Sequence, residues 1–185
     1  VPAALLASMV QASVRTQAQD GKPIREMMDR LNRLVFDATP DDRFATCFMA
    51  RVSTTDGNGV RGVPQLAFSN AGHNYPILLP AQGDCHFLDF GGIPLGIHSD
   101  FAYGETTTPL GKGDALILYT DGITDARNRL MQDYSEERLL EFASALPRHL
   151  SAQELLDAIA QDLSRFTQGA EQADDITLVA LKVLQ

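Results

Sequence analysis

Gly113-Asp114-Ala115-Leu116-Ile117-Leu118-Tyr119-Thr120-Asp121-Gly122-Ile123-Thr124-Asp125-Ala126 is the stretch on which the reading of this chain turns. Ala115 to Tyr119 has the length and apolar composition of a buried strand. It runs directly into Thr120-Asp121-Gly122, a turn signal. A carboxylate at the rigid end of a core strand, followed by a glycine that lets the backbone turn away, is well placed to hold a cation. A second such element lies downstream, where Ala173-Asp174-Asp175-Ile176-Thr177 leads into the apolar run Leu178 to Leu181. Two acidic turns joined to two core strands predict one carboxylate-lined site. Asp121 and Asp174 are its candidate metal ligands. With no His or Cys in either turn, the donors are hard oxygens, which suit Mg²⁺ or Mn²⁺ better than zinc or copper. Asp-Gly and Asp-Asp are also ordinary turn chemistry, and spacing alone does not separate the two readings. Asp125 is either a further ligand or outer-shell group, or a helix-start carboxylate.

A chain of 185 residues predicts one domain with room for a core. The net charge of −9 argues against a nucleic-acid surface, which needs a basic patch. Cys47 and Cys85 form no metal or redox spacing and read as buried free thiols of a reducing, cytoplasmic compartment. No apolar stretch approaches the roughly 18 residues of a membrane span. The start, Val1-Pro2-Ala3-Ala4, is not a signal peptide and reads as the cut edge of a longer protein.

Residues 2–18 carry a helical stripe of Leu5, Leu6, Met9, Val10 and Val14, with Pro2 suited to the first turn. Asp20-Gly21-Lys22-Pro23 breaks it. A second helix follows on Ile24, Met27, Met28, Leu31, Leu34 and Val35, and its apolar face should pair with Leu5, Leu6, Met9 and Val10 as an antiparallel hairpin. Phe44 to Ser53 is apolar on both faces, as a strand between two layers would be. Asp56-Gly57-Asn58-Gly59 reads as a hairpin loop. Short strands are expected over 65–69, 75–79, 85–90, 103–107 and 115–120. Two helices follow, the first capped by Ser135. The second is opened by the capping box Ser151-Ala-Gln-Glu154 and carries Leu155, Ile159, Leu163 and Phe166. A strand over 176–183 closes the chain. Antiparallel sheet with segregated helices makes this α+β.

Asn70-Ala71-Gly72-His73-Asn74 offers His73 as a general acid or phosphate contact, although a tight turn with a packed histidine is the plainer reading. Gly91-Gly92-Ile93-Pro94-Leu95-Gly96 is either a flexible flap or a loop that needs glycine for backbone reasons. It lacks the Lys and Ser/Thr of a P-loop.

Taken together, Val1-Pro-Ala-Ala-Leu-Leu, Leu31-Asn-Arg-Leu, Asn70-Ala-Gly-His-Asn-Tyr-Pro, Pro94-Leu-Gly, the Gly113–Ala126 stretch and Asp174-Asp-Ile-Thr resemble one family in its order. This is the SpoIIE/RsbU group of bacterial PPM-type (protein phosphatase 2C-like) metal-dependent Ser/Thr phosphatases. The resemblance implies two stacked antiparallel β-sheets flanked by helices. It implies two Mn²⁺ or Mg²⁺ ions held by aspartates, with a metal-bridging water as nucleophile and hence no side-chain nucleophile. By this match Asp121 and Asp174 are metal ligands, and Asp125 falls where some members support an accessory metal. The implied substrate is phosphoserine or phosphothreonine on an anti-sigma-factor antagonist protein. The implied setting is a larger signalling protein with an upstream sensor or receiver domain, with a homodimer among its assemblies. In the family, Val-Pro-Ala-Ala-Leu-Leu directly follows an Asp-x-x-Gly-His-Gly loop whose Asp bridges the metals and whose Gly carbonyl adds a ligand. Residues 1–185 therefore read as the C-terminal majority of such a domain, without its N-terminal strands and with part of its metal site. The rival reading is a catalytically inactive regulatory module that binds a phosphoprotein or antagonist through the same surface.

Overall fold

The computed structural model describes residues 3–19, 21–39, 43–55 and 61–184. Pro2, Asp20 and the Asp56–Gly59 loop lie outside them. The described chain forms two compact units, one of residues 1–73 with 90–109 and one of 74–89 with 110–185.

The first unit begins with helices α1 (Ala3–Gln19) and α2 (Ile24–Ala38), followed by strands β1 (Cys47–Thr55) and β2 (Arg61–Ala71). After an excursion into the second unit the chain returns as β5 (Thr106–Pro109). The sheet is antiparallel with order β1-β2-β5. Ile24, Met27, Met28, Leu31 and Val35 recur every three or four residues on α2, and all are buried. Leu6, Val10 and Val14 of α1 pack on this cluster, so the helix pair forms as the stripes predict. Leu5 does not take part and is 53% exposed. Polar side chains fix α2 to the chain after residue 95. The Asn32 amide nitrogen donates to the carbonyls of His98 (2.8 Å) and Ser99 (3.2 Å), and its oxygen accepts from Gly96 N–H (2.8 Å). Asp29 accepts from Tyr103 N–H at 2.9 Å.

The strand expected over 44–53 differs. It starts at Cys47, and Phe44 and Val52 are 56% and 42% exposed. β1 is the sheet edge; its Cys47 and Met49 reach the helical cluster, and Phe48 on the other face packs on Phe68 with ring centroids 5.6 Å apart. The strand expected at Tyr103 starts instead at Thr106. The Tyr103 ring turns into the core, where its hydroxyl donates to the carbonyls of Ile93 and Pro94.

The second unit holds β3 (Ile77–Leu79), β4 (His86–Phe87), β6 (Ala115–Tyr119) and β7 (Leu178–Lys182) as an antiparallel sheet of order β4-β3-β6-β7. Its helices are α3 (Asp121–Thr124), α4 (Glu136–Ala145) and α5 (Ala152–Thr167). One sheet face, with Ile77, Leu79, Ala115, Ile117 and Tyr119, packs on Leu139 and Ala143 of α4 and Leu155, Ile159 and Leu163 of α5. Both helix starts are capped as the sequence predicts. The Ser135 side chain accepts from Arg138 N–H, and Ser151 and Glu154 form a complete capping box. Asp114 fixes the start of β6, its carboxylate accepting from Gly111 and Ala81 N–H, each at 2.7 Å.

Both cysteines are free, and both are half-buried rather than buried. Desolvation pushes the Cys47 thiol up to about 11. Cys85 accepts a hydrogen bond from the Arg148 guanidinium at 3.2 Å.

Candidate metal centre

β6 is an inner strand of its sheet, paired with β3 on one side and β7 on the other. Its end and the start of β7 are therefore neighbours, with Tyr119 opposite Leu178. Just beyond that pair the two acidic segments meet. Thr120 N–H donates to the Thr177 carbonyl at 3.1 Å. The Thr120 hydroxyl donates to the Asp175 carbonyl at 3.1 Å and accepts from Thr177 N–H at 2.9 Å. One threonine thus ties together segments 55 residues apart. Thr177 spends its N–H on a side chain rather than on a ladder, which is why β7 starts at Leu178 and not at Ile176.

Thr120-Asp121-Gly122 is not a turn in which glycine supplies a left-handed backbone. It opens a single helical turn, α3, with Thr120 as its N-cap. Gly122 is buried, and a Cβ there would overlap the Asp175 carbonyl oxygen, with the carbonyl carbon 2.9 Å away and the Asp174 carbonyl oxygen 3.4 Å away. Glycine is required by close approach of the 174–175 backbone. Asp121 is the first residue of α3, exposed at the edge of this junction. Asp174 is exposed on the other side, its carboxylate accepting from Asp175 N–H at 2.7 Å and its carbonyl from the Gln172 side chain at 2.7 Å. Asp125 ends α3 rather than starting a helix. It is the C-cap, and its N–H donates to the Asp121 carbonyl at 2.8 Å.

Two exposed carboxylates on adjoining segments, with the Asp174 carbonyl against Gly122, make an all-oxygen donor set. Among the described residues no three His, Cys, Asp or Glu side chains gather into a fuller metal cluster. The set fits Mg²⁺ or Mn²⁺, since Mg²⁺ is commonly held by one or two carboxylates, with water and substrate phosphate completing the shell. Beside the junction lies a cavity of about 330 Å³, walled by Gly122, Ile123, Ile159, Leu163, Gln172 and Ala173.

His73 belongs to the first unit and holds a turn. Its N–H donates to the Asn70 side-chain oxygen, and the Asn70 amide donates back to the His73 carbonyl, both at 2.8 Å. Its Nδ1 is 3.1 Å from the Thr46 hydroxyl. In the Gly91–Gly96 loop glycine serves both backbone and packing: Gly96 has φ +88°, and a Cβ on Gly92 would lie 2.7 Å from the Phe101 ring. The sequence reading missed Thr120, Thr177 and the Asp175 carbonyl as the ties of the site. It also missed Glu136, which accepts from the Tyr119 hydroxyl and the Asn74 amide, both at 3.3 Å. Burial, and then the Glu136 carboxylate, raise the Tyr119 hydroxyl well above the usual phenol range.

Residues 1–184 match the family model described as Stage II sporulation protein E. The chain belongs to the SpoIIE family. Among curated proteins this family member is 29% identical over 188 residues to the phosphoserine phosphatase RsbU of Bacillus subtilis, covering 98% of the chain and 52% of RsbU. It spans about half or less of the length of the curated relatives it matches. Among solved structures it resembles the RsbU and RsbW domains of Rv1364c from Mycobacterium tuberculosis (TM-score 0.75, 23% identity, 100% of this chain and 48% of that one). It also resembles the catalytic domain of the serine/threonine protein phosphatase PstP in complex with two manganese ions (TM-score 0.61, 16% identity, 98% of this chain and 81% of that one). The SpoIIE-family chain therefore has the fold of these phosphatases, two antiparallel sheets with flanking helices.

Proposed function

We propose that this SpoIIE-family chain is the larger, C-terminal part of a metal-dependent protein serine/threonine phosphatase domain. Its proposed substrate is phosphoserine or phosphothreonine on an anti-sigma-factor antagonist protein. The observation that carries the reading is the Thr120–Gly122 junction, which brings the Asp121 and Asp174 segments together on the ends of two paired strands. The relation to RsbU, a phosphoserine phosphatase, supports it.

Asp121 and Asp174 would hold Mn²⁺ or Mg²⁺, with further ligands contributed by residues outside the described set. Bound divalent cations would neutralise phosphate charge and lower the pKa of water. The residues of this chain do the positioning. Thr120 fixes the spacing of the two carboxylate-bearing segments through three hydrogen bonds. Gly122 lets the 174–175 backbone sit against α3. The Asp175 N–H holds one Asp174 oxygen at 2.7 Å and so restricts the carboxylate's rotation. Such restriction matters because catalysis loses rate steeply with misplacement of its groups.

The test is Mn²⁺-dependent hydrolysis of a phosphoserine protein by the full-length polypeptide. Asp121→Asn and Asp174→Asn should each abolish it, since each removes a ligand charge while keeping shape. Cys47→Ser and Cys85→Ser should retain turnover in the folded fraction. Undiminished activity in both aspartate variants would refute the assignment. The small donor set among the described residues favours one second reading, an inactive module that binds a phosphoprotein. That reading expects phosphoprotein binding without turnover at any Mn²⁺ concentration.

A further inference from the structure

Between the end of α5 and the start of β7 the chain runs as a strap, residues 168–177. Its first end turns sharply through two successive left-handed residues, Gln168 (φ +50°) and Gly169 (φ +76°). A Cβ on Gly169 would meet nothing within 4 Å, so this hinge stands in open space. Its far end is pinned to β6 and α3 by the Thr120 hydrogen bonds and by the close approach of the Asp175 carbonyl to Gly122. Between those ends, residues 170–174 make only local hydrogen bonds among the described residues. Ala170 N–H donates to the Thr167 carbonyl (3.0 Å), the Gln172 side chain to the Asp174 carbonyl (2.7 Å), and Asp175 N–H to the Asp174 carboxylate (2.7 Å). Every residue from Glu171 to Thr177 is exposed.

The strap is one wall of the cavity of about 330 Å³ beside the acidic junction. Gln172, Ala173 and Ile176 line it from the strap, Ile123 from α3, and Ile159 and Leu163 from α5. Ile176 is 41% exposed. A large apolar side chain thus meets water at the edge of a largely apolar cavity, and a strap with no other ties borders both. Folding residues 170–174 down onto the cavity takes both apolar surfaces out of water together. The same movement bears on the carboxylates. Gly122, next to Asp121, and Ala173, next to Asp174, lie on facing walls of the cavity. A cation shared by the two aspartates, with ligand bonds of about 2 Å, draws those walls together.

We propose that Ile176 is a positioning residue for the metal centre: residues 170–174 close as a strap over the cavity, Ala173 seats against Ile159, Leu163 and Ile176, and that seating sets the Asp174 carboxylate for the cation. This rests on the metal-dependent phosphatase reading and adds to it the apolar contact that tunes metal affinity. The occupant of the cavity is the chain's own strap, hinged at Gly169 and pivoting on the pinned Asp175. Seating and metal binding are linked, so whatever weakens one weakens the other by the same factor.

The experiment is calorimetric titration of the full-length polypeptide with Mn²⁺. Ile176→Ser should weaken Mn²⁺ binding about fivefold or more, the order expected from burying the exposed part of one isoleucine. The melting temperature without added metal should change little, because that side chain is already half in water. Ile176→Val, which keeps an apolar seat, should restore most of the affinity. Ala160→Leu, on the exposed side of α5, puts a larger side chain into the cavity and should weaken Mn²⁺ binding with the helix intact. Leu184→Ser, which removes another apolar side chain 74% exposed, should leave the affinity unchanged. Hydrogen exchange reads the strap directly. Saturating Mn²⁺ should slow the Gln172 and Ala173 amides several-fold in the wild type and much less in Ile176→Ser. Unchanged Mn²⁺ affinity in either folded variant, Ile176→Ser or Ala160→Leu, overturns the proposal, and so does equal amide protection in wild type and Ile176→Ser. Hydrolysis of p-nitrophenyl phosphate tests the phosphatase reading separately: its absence from a wild type that binds Mn²⁺ fails that reading and leaves the strap standing.

Discussion

Gly122 shows how much one side chain, or its lack, decides. The sequence suggests glycine for a turn, whereas the structure needs it because the Asp175 carbonyl occupies the Cβ position. Gly122→Ala must push the 174–175 backbone away from α3. Overpacking of this kind costs about 1–3 kcal/mol, and here the displaced backbone also carries Asp174. The expected result is a lower melting temperature together with weaker Mn²⁺ binding by titration calorimetry, and unchanged Mn²⁺ affinity would show that Asp174 is not held through this contact. That the Asp121 and Asp174 segments adjoin was legible, because each lies where a strand signal meets a turn signal. Thr120 and Thr177 were not, since nothing in one sequence says which distant threonine pairs with which. Of the two readings of Asp125, the helix start fails because α3 is a single turn that ends there, too short to leave a periodic pattern.

At the scale of elements, helices with amphipathic stripes and side-chain caps were readable, and α2, α4 and α5 form where the pattern put them. Strand ends were less so. The ends expected at 103 and 176 retreat where a side chain takes a backbone N–H, Asp29 that of Tyr103 and the Thr120 hydroxyl that of Thr177, and the strand expected from 85 shortens to His86–Phe87. The packing of α4 on α5 was also invisible, because it depends on a polar cluster. The Tyr134 hydroxyl donates to Asp162 at 2.8 Å, Arg138 and Arg165 approach the same carboxylate at 3.4 Å, and the Arg138 guanidinium lies over the Tyr134 and Phe166 rings. Tyr134→Phe removes the shortest of those bonds and leaves a carboxylate with 12% side-chain exposure under-partnered. A loss of about 1–3 kcal/mol is expected from urea unfolding, and a neutral result would show that the two arginines satisfy Asp162 alone. Ser151→Ala, which removes the α5 capping box, should cost about 1 kcal/mol by the same measurement.

For the whole molecule, the titrating groups that the fold disturbs most point one way. Burial raises Cys47 from about 9 to about 11, and burial with the Asp29 charge raises Tyr103 from about 10 to about 12. Tyr119 and Tyr134 shift upward as well, again chiefly by burial. These are acids that the fold keeps protonated. The unfolded chain releases their protons first, so their contribution is fully present below about pH 9 and is lost as pH climbs through 9–11 for Cys47 and 10–12 for Tyr103. Unfolding free energy should therefore fall between pH 9 and pH 11, and Cys47→Ala should flatten the lower part of that fall. A rise over the same interval would contradict the assignment. Neither shift was readable from sequence, because both depend on how deeply the folded chain encloses groups that look ordinary in the linear order.

The pairing of β6 with β7 also sets a timetable. Thr120 and its partners on 175–177 are distant along the chain, and the ladder that aligns them runs to Lys182. Closing so long a loop is slow compared with forming the local hairpin of β1 and β2. Synthesis delivers the N-terminal residues first. A nascent polypeptide that has not yet released Lys182 from the ribosome has its helices and hairpins but not the junction that sets Asp174 beside Asp121. The proposed phosphatase would stay silent, and would begin to act on its phosphoprotein only after β7 has paired with β6.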